Sequence, residues 1–239
     1  IAGNAAGGFN RGVAVAGDRV FMLTDNAHMI SLGRSDGELL WETEMAEETA
    51  SNGLQIYGGM GSIDVTGAPQ YYRDCRILPI YEGTNGIQAN DFLFRKILRD
   101  NGAEAQRFLS EIKTFLKNFA QKPSDDLDAI QGSLTKAIGA VEETIAWMIA
   151  NAKSNTDAMA ASAVPFLRQF SLVAGGYMMA RMAYSAHQAL HGGEDANFYN
   201  TKLITARFFA EALLPMVHGL SAPIMGGQKV AVQIANDQF

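Results

Sequence analysis

The sequence predicts a mainly α protein: an antiparallel helical bundle preceded by a short N-terminal β-meander. Three observations predict it. From about residue 102, apolar residues recur at spacings of three and four. Proline, Ser/Asp and Gly-Gly breaks divide that region into stretches of helical length. Upstream, residues 1–48 are rich in glycine and hold short apolar runs punctuated by Gly-Asp, Asp-Asn and Asp-Gly turn signals.

In order along the chain, Val13-Ala14-Val15 leads to a turn at Gly17-Asp18, and a second run spans Arg19 to Thr24. Asp25-Asn26 marks another turn before His28 to Leu32, and Asp36-Gly37 a third before Leu39 to Thr43. Three or four strands of this length bury little surface, so the meander is marginal alone. The first helix of the bundle places Phe108, Ile112, Phe115, Leu116 and Phe119 along one side. Pro123-Ser124-Asp125-Asp126 ends it and caps the next. That second helix carries a stripe of Leu127, Ile130, Leu134, Ile138, Val141, Ile145 and Met148. A third covers about 156–190, with Pro165 at a kink or an early boundary, and Gly192-Gly193 stops it. Its Met178, Met179 and Met182 read as adaptable core filler. A fourth runs from about Ala196 to His218, with Pro215 near its end. The resulting division is 1–48, 49–101 and 102–239.

Hydrophobic residues make up 48% of the chain and charged residues 18%, enough apolar material for a globular core. A net charge of -6 disfavours nucleic acid or an anionic membrane as the main partner. The single cysteine, Cys75, forms no internal disulfide and supplies no multi-cysteine metal site, which fits a reducing, cytoplasmic compartment. His187 and His191 are four apart, but no metalloprotease pattern joins them, and they read as a cationic helix end. No metal site is expected. No run of about 18 uninterrupted apolar residues is present, so no transmembrane segment is expected. The chain opens on Ile1, which points to a removed upstream part or a fragment.

The densest chemistry lies in 50–101. Gly58, Gly59 and Gly61 permit a chain reversal and close approach of a ligand to the backbone, or mark a helix C-terminus followed by a turn. Arg73 and Arg76 either anchor a nucleotide or pair with surface acids. Glu82, between Tyr81 and Gly83, reads either as a loop carboxylate whose pKa an apolar pocket raises toward a base, or as a surface glutamate before a capped helix. Thr84 is positioned to cap a helix starting near Asn85, whose N-terminus suits a phosphate.

Read together, Gln55-Ile56-Tyr57-Gly58-Gly59, Tyr72-Arg73-Asp74 with Arg76-Ile77, and Ile80-Tyr81-Glu82-Gly83-Thr84-Asn85-Gly86-Ile87-Gln88 resemble the acyl-CoA dehydrogenase family in order and spacing. The resemblance covers roughly 50–239, and the region after 101 is similar to the extra C-terminal helical domain of bacterial members acting on long-chain or 3-methylmercaptopropionyl thioesters. It implies an FAD enzyme that dehydrogenates the α,β bond of an acyl-CoA. Glu82 takes the place of the catalytic base. Tyr81 and Gly83 fall at the substrate, with the Gly83 amide near the thioester carbonyl. Thr84 and Gly86 match positions near the FAD diphosphate, and Gln55, Gly58 and Gly59 a stretch that meets the FAD adenosine across a subunit boundary. That implies a homodimer or dimer of dimers, with an electron-transfer flavoprotein as acceptor.

Residues 9–46 resemble one propeller blade of a quinoprotein alcohol dehydrogenase through Asn10-Arg11-Gly12-Val13, Asp18-Arg19-Val20-Phe21 and Asp36-Gly37-Glu38-Leu39-Leu40-Trp41. A family member of the dehydrogenase type has an N-terminal helical domain and a middle β-domain ahead of the segment found here. The expectation is therefore a fragment or fusion. The competing readings are a non-catalytic helical assembly module and, further off, part of a quinone-dependent alcohol dehydrogenase.

Overall fold

The computed structural model describes the backbone of residues 13–16, 19–23, 28–33, 39–44, 46–77, 79–80, 83–119, 124–154, 156–190, 195–227, 230 and 232–233, with side chains from residue 50 onward. The chain divides into two compact units, Ile1–Asn85 and Gly86–Phe239. Most of the described chain is helical.

In the first unit, strands β1 (Val13–Ala16), β2 (Arg19–Leu23), β3 (His28–Gly33) and β4 (Leu39–Glu44) form an antiparallel sheet in chain order. Val15 pairs with Val20 and Phe21 with Ser31, and the β3–β4 register slips between Ser31 and Leu32. Helix α1 (Ala46–Ile56) follows, then tight 3-10 turns at Gly58–Ser62 and Asp64–Thr66, then α2 (Ala68–Cys75). Pro69 lies in the first turn of α2, where its missing N–H is not needed. The Arg73 guanidinium ties α2 back to the preceding turn through Asp64 at 2.9 Å.

The second unit is a helical bundle. Helix α3 (Asn85–Asp91) continues without a break into a π turn, Phe92–Leu98. A reversal at Asn101 and Gly102, both in the left-handed region, leads to α4 (Ala103–Leu116). Asp100 caps that helix: its Oδ1 accepts from the Gly102 N–H and its Oδ2 from the Glu104 N–H, each at 3.0 Å. Then come α5 (Asp125–Asn151), α6 (Thr156–Leu190) and a last helical path made of α7 (Ala196–Phe208), a π turn (Phe209–Leu213), α8 (Met216–Ala222) and a second π turn (Pro223–Gly227).

The apolar stripe of α5 is the floor of the core. Leu127, Leu134, Ile138, Val141, Ile145 and Met148 are fully buried and Ile130 nearly so. An aromatic seam joins α4 to α6: Phe108 and Phe115 meet the Tyr177 ring edge on, and Phe119 stacks on Tyr184 at 5.7 Å and 9°. Three features depart from the sequence reading. Of the two readings of Pro165, a kink or an early boundary, the second falls, because α6 runs through it. The last path does not stop near His218; it passes Pro215 and reaches Gly227. A π turn widens the helix just before Pro215, with Leu214 N–H donating to Phe209 C=O at 2.9 Å, and absorbs the missing donor. Met178, Met179 and Met182 are half-buried, and Ala174, Ala180, Ala183 and Ala186 hold the core positions of that stretch. His191 and Gly192-Gly193 lie outside the described residues.

Two buried polar side chains clamp α6 to the last path. Ser162 Oγ donates to the Ile224 carbonyl at 2.9 Å, and Gln169 Nε2 to the Val217 carbonyl at 3.0 Å and Ser221 Oγ at 2.9 Å. The Ala196–Gly227 path is long and apolar enough, by length and composition only, to cross a membrane. Its Leu203, Ala206, Ala210, Leu214, Val217 and Ile224 are buried within the bundle unit.

Two predictions follow from this packing. An added Cβ at Gly176 would sit 3.1 Å from Leu134 Cδ1. Leu134→Ala is expected to cost about 2–5 kcal/mol in urea denaturation, and Gly176→Ala to be less destabilising on that background than in the parent, the contact with Leu214 Cδ1 at 3.2 Å remaining in both. Non-additivity of zero would show the two sites do not share that space. The second concerns Tyr177, which is 3% exposed and donates from its hydroxyl to Glu111 Oε1 at 3.1 Å. Burial, and then the Glu111 charge, push its pKa up to about 12 from 10.0. Because the folded value is the higher one, this phenol stabilises the fold fully below pH 10, and the contribution is lost as pH rises toward 12. Tyr177→Phe should flatten that part of the stability–pH curve, read as denaturation midpoints against the parent protein.

Candidate functional site

The segment between α2 and α3 is a short loop closed on itself. Arg76 N–H donates to the carbonyls of Tyr72 and Arg73, ending α2, and Ile80 N–H to Ile77 C=O at 3.0 Å makes the next turn. Asn85 N–H then reaches back to Pro79 C=O at 3.3 Å. That bond ties the base of a loop whose sequence is Ile80-Tyr81-Glu82-Gly83-Thr84. Tyr81 and Glu82 themselves lie outside the described residues. Gly83 is half-buried with φ of 100°, a conformation that L side chains rarely adopt, so glycine is required there. Thr84 is exposed and directly precedes α3. Gly86 stands in the first turn of α3, and a Cβ built on it would meet nothing within 4 Å.

The other candidates fall at the end of α1 and the turn after it. Gln55 is exposed in the last turn of α1. Gly58 has φ of 58° and Gly59 follows it, and a Cβ on either would reach into open space. Gly61 differs: its Cβ would collide with the Leu54 carbonyl oxygen, so its role is close packing of the turn against α1. Gly58 is thus explained by its backbone and Gly61 by its neighbour. Neither reason applies to Gly59 or Gly86, which leave the main chain open to an approaching group.

Arg73 is engaged by Asp64 and by Gln70 Oε1 at 3.1 Å, which favours the surface-pair reading for it over a nucleotide anchor. Cys75 is half-buried at the end of α2. No cluster of three or more His, Cys, Asp or Glu able to hold a metal lies among the described residues. The sequence reading singled out the glycines and the glutamate but passed over Pro79 and Asn85, whose backbone groups close the loop. The Asn-Gly start of α3 was the available signal, and it was read only for the helix.

Comparison with known proteins places these segments. Residues 38–95 match the model of the acyl-CoA dehydrogenase C-terminal domain, and residues 108–235 that of an acetyl-CoA dehydrogenase C-terminal-like domain. The chain is 42% identical over 172 residues to the 3-methylmercaptopropionyl-CoA dehydrogenase of Ruegeria pomeroyi, covering 72% of this chain and 29% of that protein. It is 30% identical over 182 residues to the broad-specificity linear acyl-CoA dehydrogenase FadE5 of Mycobacterium tuberculosis, covering 73% and 30%. It is 29% identical over 201 residues to a butyryl-CoA dehydrogenase of Syntrophomonas wolfei, covering 82% and 32%. The chain thus spans about a third of the length of the curated relatives it matches. With one family match covering more than half of its residues and a second covering the Glu82 loop, this chain belongs to the acyl-CoA dehydrogenase family, of which it holds C-terminal segments.

Proposed function

We propose that this chain supplies the catalytic loop and C-terminal helical part of an FAD-dependent acyl-CoA dehydrogenase that acts on the α,β bond of an acyl-CoA thioester. The observation that carries the reading is the family match over 38–95, which includes Glu82. The likeness to a 3-methylmercaptopropionyl-CoA dehydrogenase supports a substrate of that kind or a linear acyl-CoA.

The residues present fit such a ligand set. Among the described residues, nothing packs where a Cβ on Gly58, Gly59 or Gly86 would stand, which is compatible with close approach of a polyanionic cofactor. In this reading Gln55, Gly58 and Gly59 hold the adenosine part of FAD, and Thr84 and Gly86 its diphosphate. A bound flavin supplies the acceptor for the β-hydrogen. The chain's own residues do the rest. The Glu82 carboxylate accepts the α-proton. The Gly83 N–H donates to the thioester carbonyl oxygen, which lowers the cost of the negative charge that builds there as the proton leaves. Tyr81 flanks the acyl thioester.

An assembled state belongs to the same proposal. Ile56 is 85% exposed and Val65 86%, apolar surface that favours a homodimer or dimer of dimers. An electron-transfer flavoprotein as acceptor, a cytoplasmic location, and a stretch at residues 9–46 akin in sequence to one quinoprotein blade complete it. The same exposed surface favours the second reading, a helical assembly module without catalysis.

Flavin absorbance in purified protein separates the two readings. In flavin-loaded protein, Glu82→Gln is expected to lower turnover of acyl-CoA by about 10²–10⁴-fold with flavin still bound. Turnover within a factor of about two of the parent would remove Glu82 from the role of base, and protein that takes up no flavin would favour the assembly module.

A further inference from the structure

Phe92 opens the π turn that continues α3, and its ring is buried against α6. It stacks on Phe166 at 5.7 Å and meets Phe170 edge on at 5.1 Å. Leu93 and Ile97 of the same turn are buried as well. Such ring pairs add to the free energy of simple area burial. Phe92 falls inside the first family match, whereas Phe166 and Phe170 fall inside the second. The cluster therefore joins the stretch that carries the Glu82 motif to the C-terminal bundle.

The helix from Asn85 to Phe92 is unbroken, so an orientation set at Phe92 is carried to the first turn of α3. The receiving surface is held too. Ser162 and Gln169 bracket Phe166 on α6, and both donate to carbonyls of the last helical path. We infer that Phe92, Phe166 and Phe170 are positioning residues: they fix α3 on the bundle, and with it the residues that directly follow Glu82-Gly83-Thr84 in the chain. The inference rests on the reading of Glu82 as the base, but it is tested without catalysis.

The test is hydrogen exchange of backbone amides, read by mass spectrometry on the full chain, comparing Phe166→Ala and Phe166→Leu with the parent. Phe166→Ala should speed exchange in residues 86–91 about tenfold or more, and raise it in the α5 centre, residues 137–144, by a much smaller factor. Phe166→Leu, which keeps most of the apolar volume, should return α3 to within about threefold of the parent. Unchanged exchange in α3, or an equal rise in α3 and α5, would overturn the inference. If Phe166→Ala does not fold, Phe170→Ala, with Phe170→Leu as its conservative partner, carries the same comparison by the same criteria. Because no flavin or substrate enters this measurement, its failure is distinct from a failure of Glu82→Gln to slow turnover.

Discussion

The bundle depends on the burial of α6. Its buried residues include Phe166, Phe170, Val173, Tyr177, Ala180 and Ala183 on one broad face, while Ala161, Val164 and Arg168 are exposed. A helix placed in this way turns a broad buried face to several neighbours at once. It must present large side chains where neighbours stand far off and small ones where they come close. Both occur. Phe170 and Tyr177 fill the space toward α4, while Gly176 admits Leu134 of α5 and Leu214 of the last path. The cost of such a helix is that any polar group on it is desolvated. Ser162 and Gln169 offset that cost by donating to carbonyls of the last path, which has two prolines and two π turns.

How much of this could be read beforehand depended on whether local pattern and burial coincide. They coincide in α5, where one side is buried and the other is wet, and every apolar residue assigned to its stripe is in the core. In α6 they do not. Its periodicity is washed out because Ser162, Gln169 and Gly176 stand on the buried face and Val164 on the exposed one, so its length was legible but its core-facing residues were not. The three methionines show the consequence: hydrophobic by type, they flank the core while alanines fill it. Proline misled in the last path for a different reason. A stop signal presumes a strict i to i−4 ladder, and a π turn relaxes the ladder one residue before it is needed.

The site was legible in kind rather than in geometry. By spacing alone, Glu82 was as good a surface glutamate as a base, and only the joint order of three motifs tipped the reading toward an acyl-CoA dehydrogenase. What structure contributes is the frame around that residue: a loop closed by one main-chain bond, a glycine in a conformation other residues resist, and a helix that begins at once. Backbone groups did this work, and backbone groups carry no residue-type signature. That is why Pro79 and Asn85 escaped a reading built on side-chain chemistry.

The contrast between the two stretches also bears on how such a site behaves. Among described residues from 50 to 85, only Gly61 and Pro69 are buried, whereas the largest fully buried side chains, Phe108, Phe119 and Phe166 among them, all lie in the bundle. Few buried side chains mean a low local free energy of opening. A stretch of that kind gains its order from whatever binds its folded form, by the ratio of ligand concentration to dissociation constant. The rigid element nearest the loop is then α3, and what holds α3 is the ring cluster at its far end.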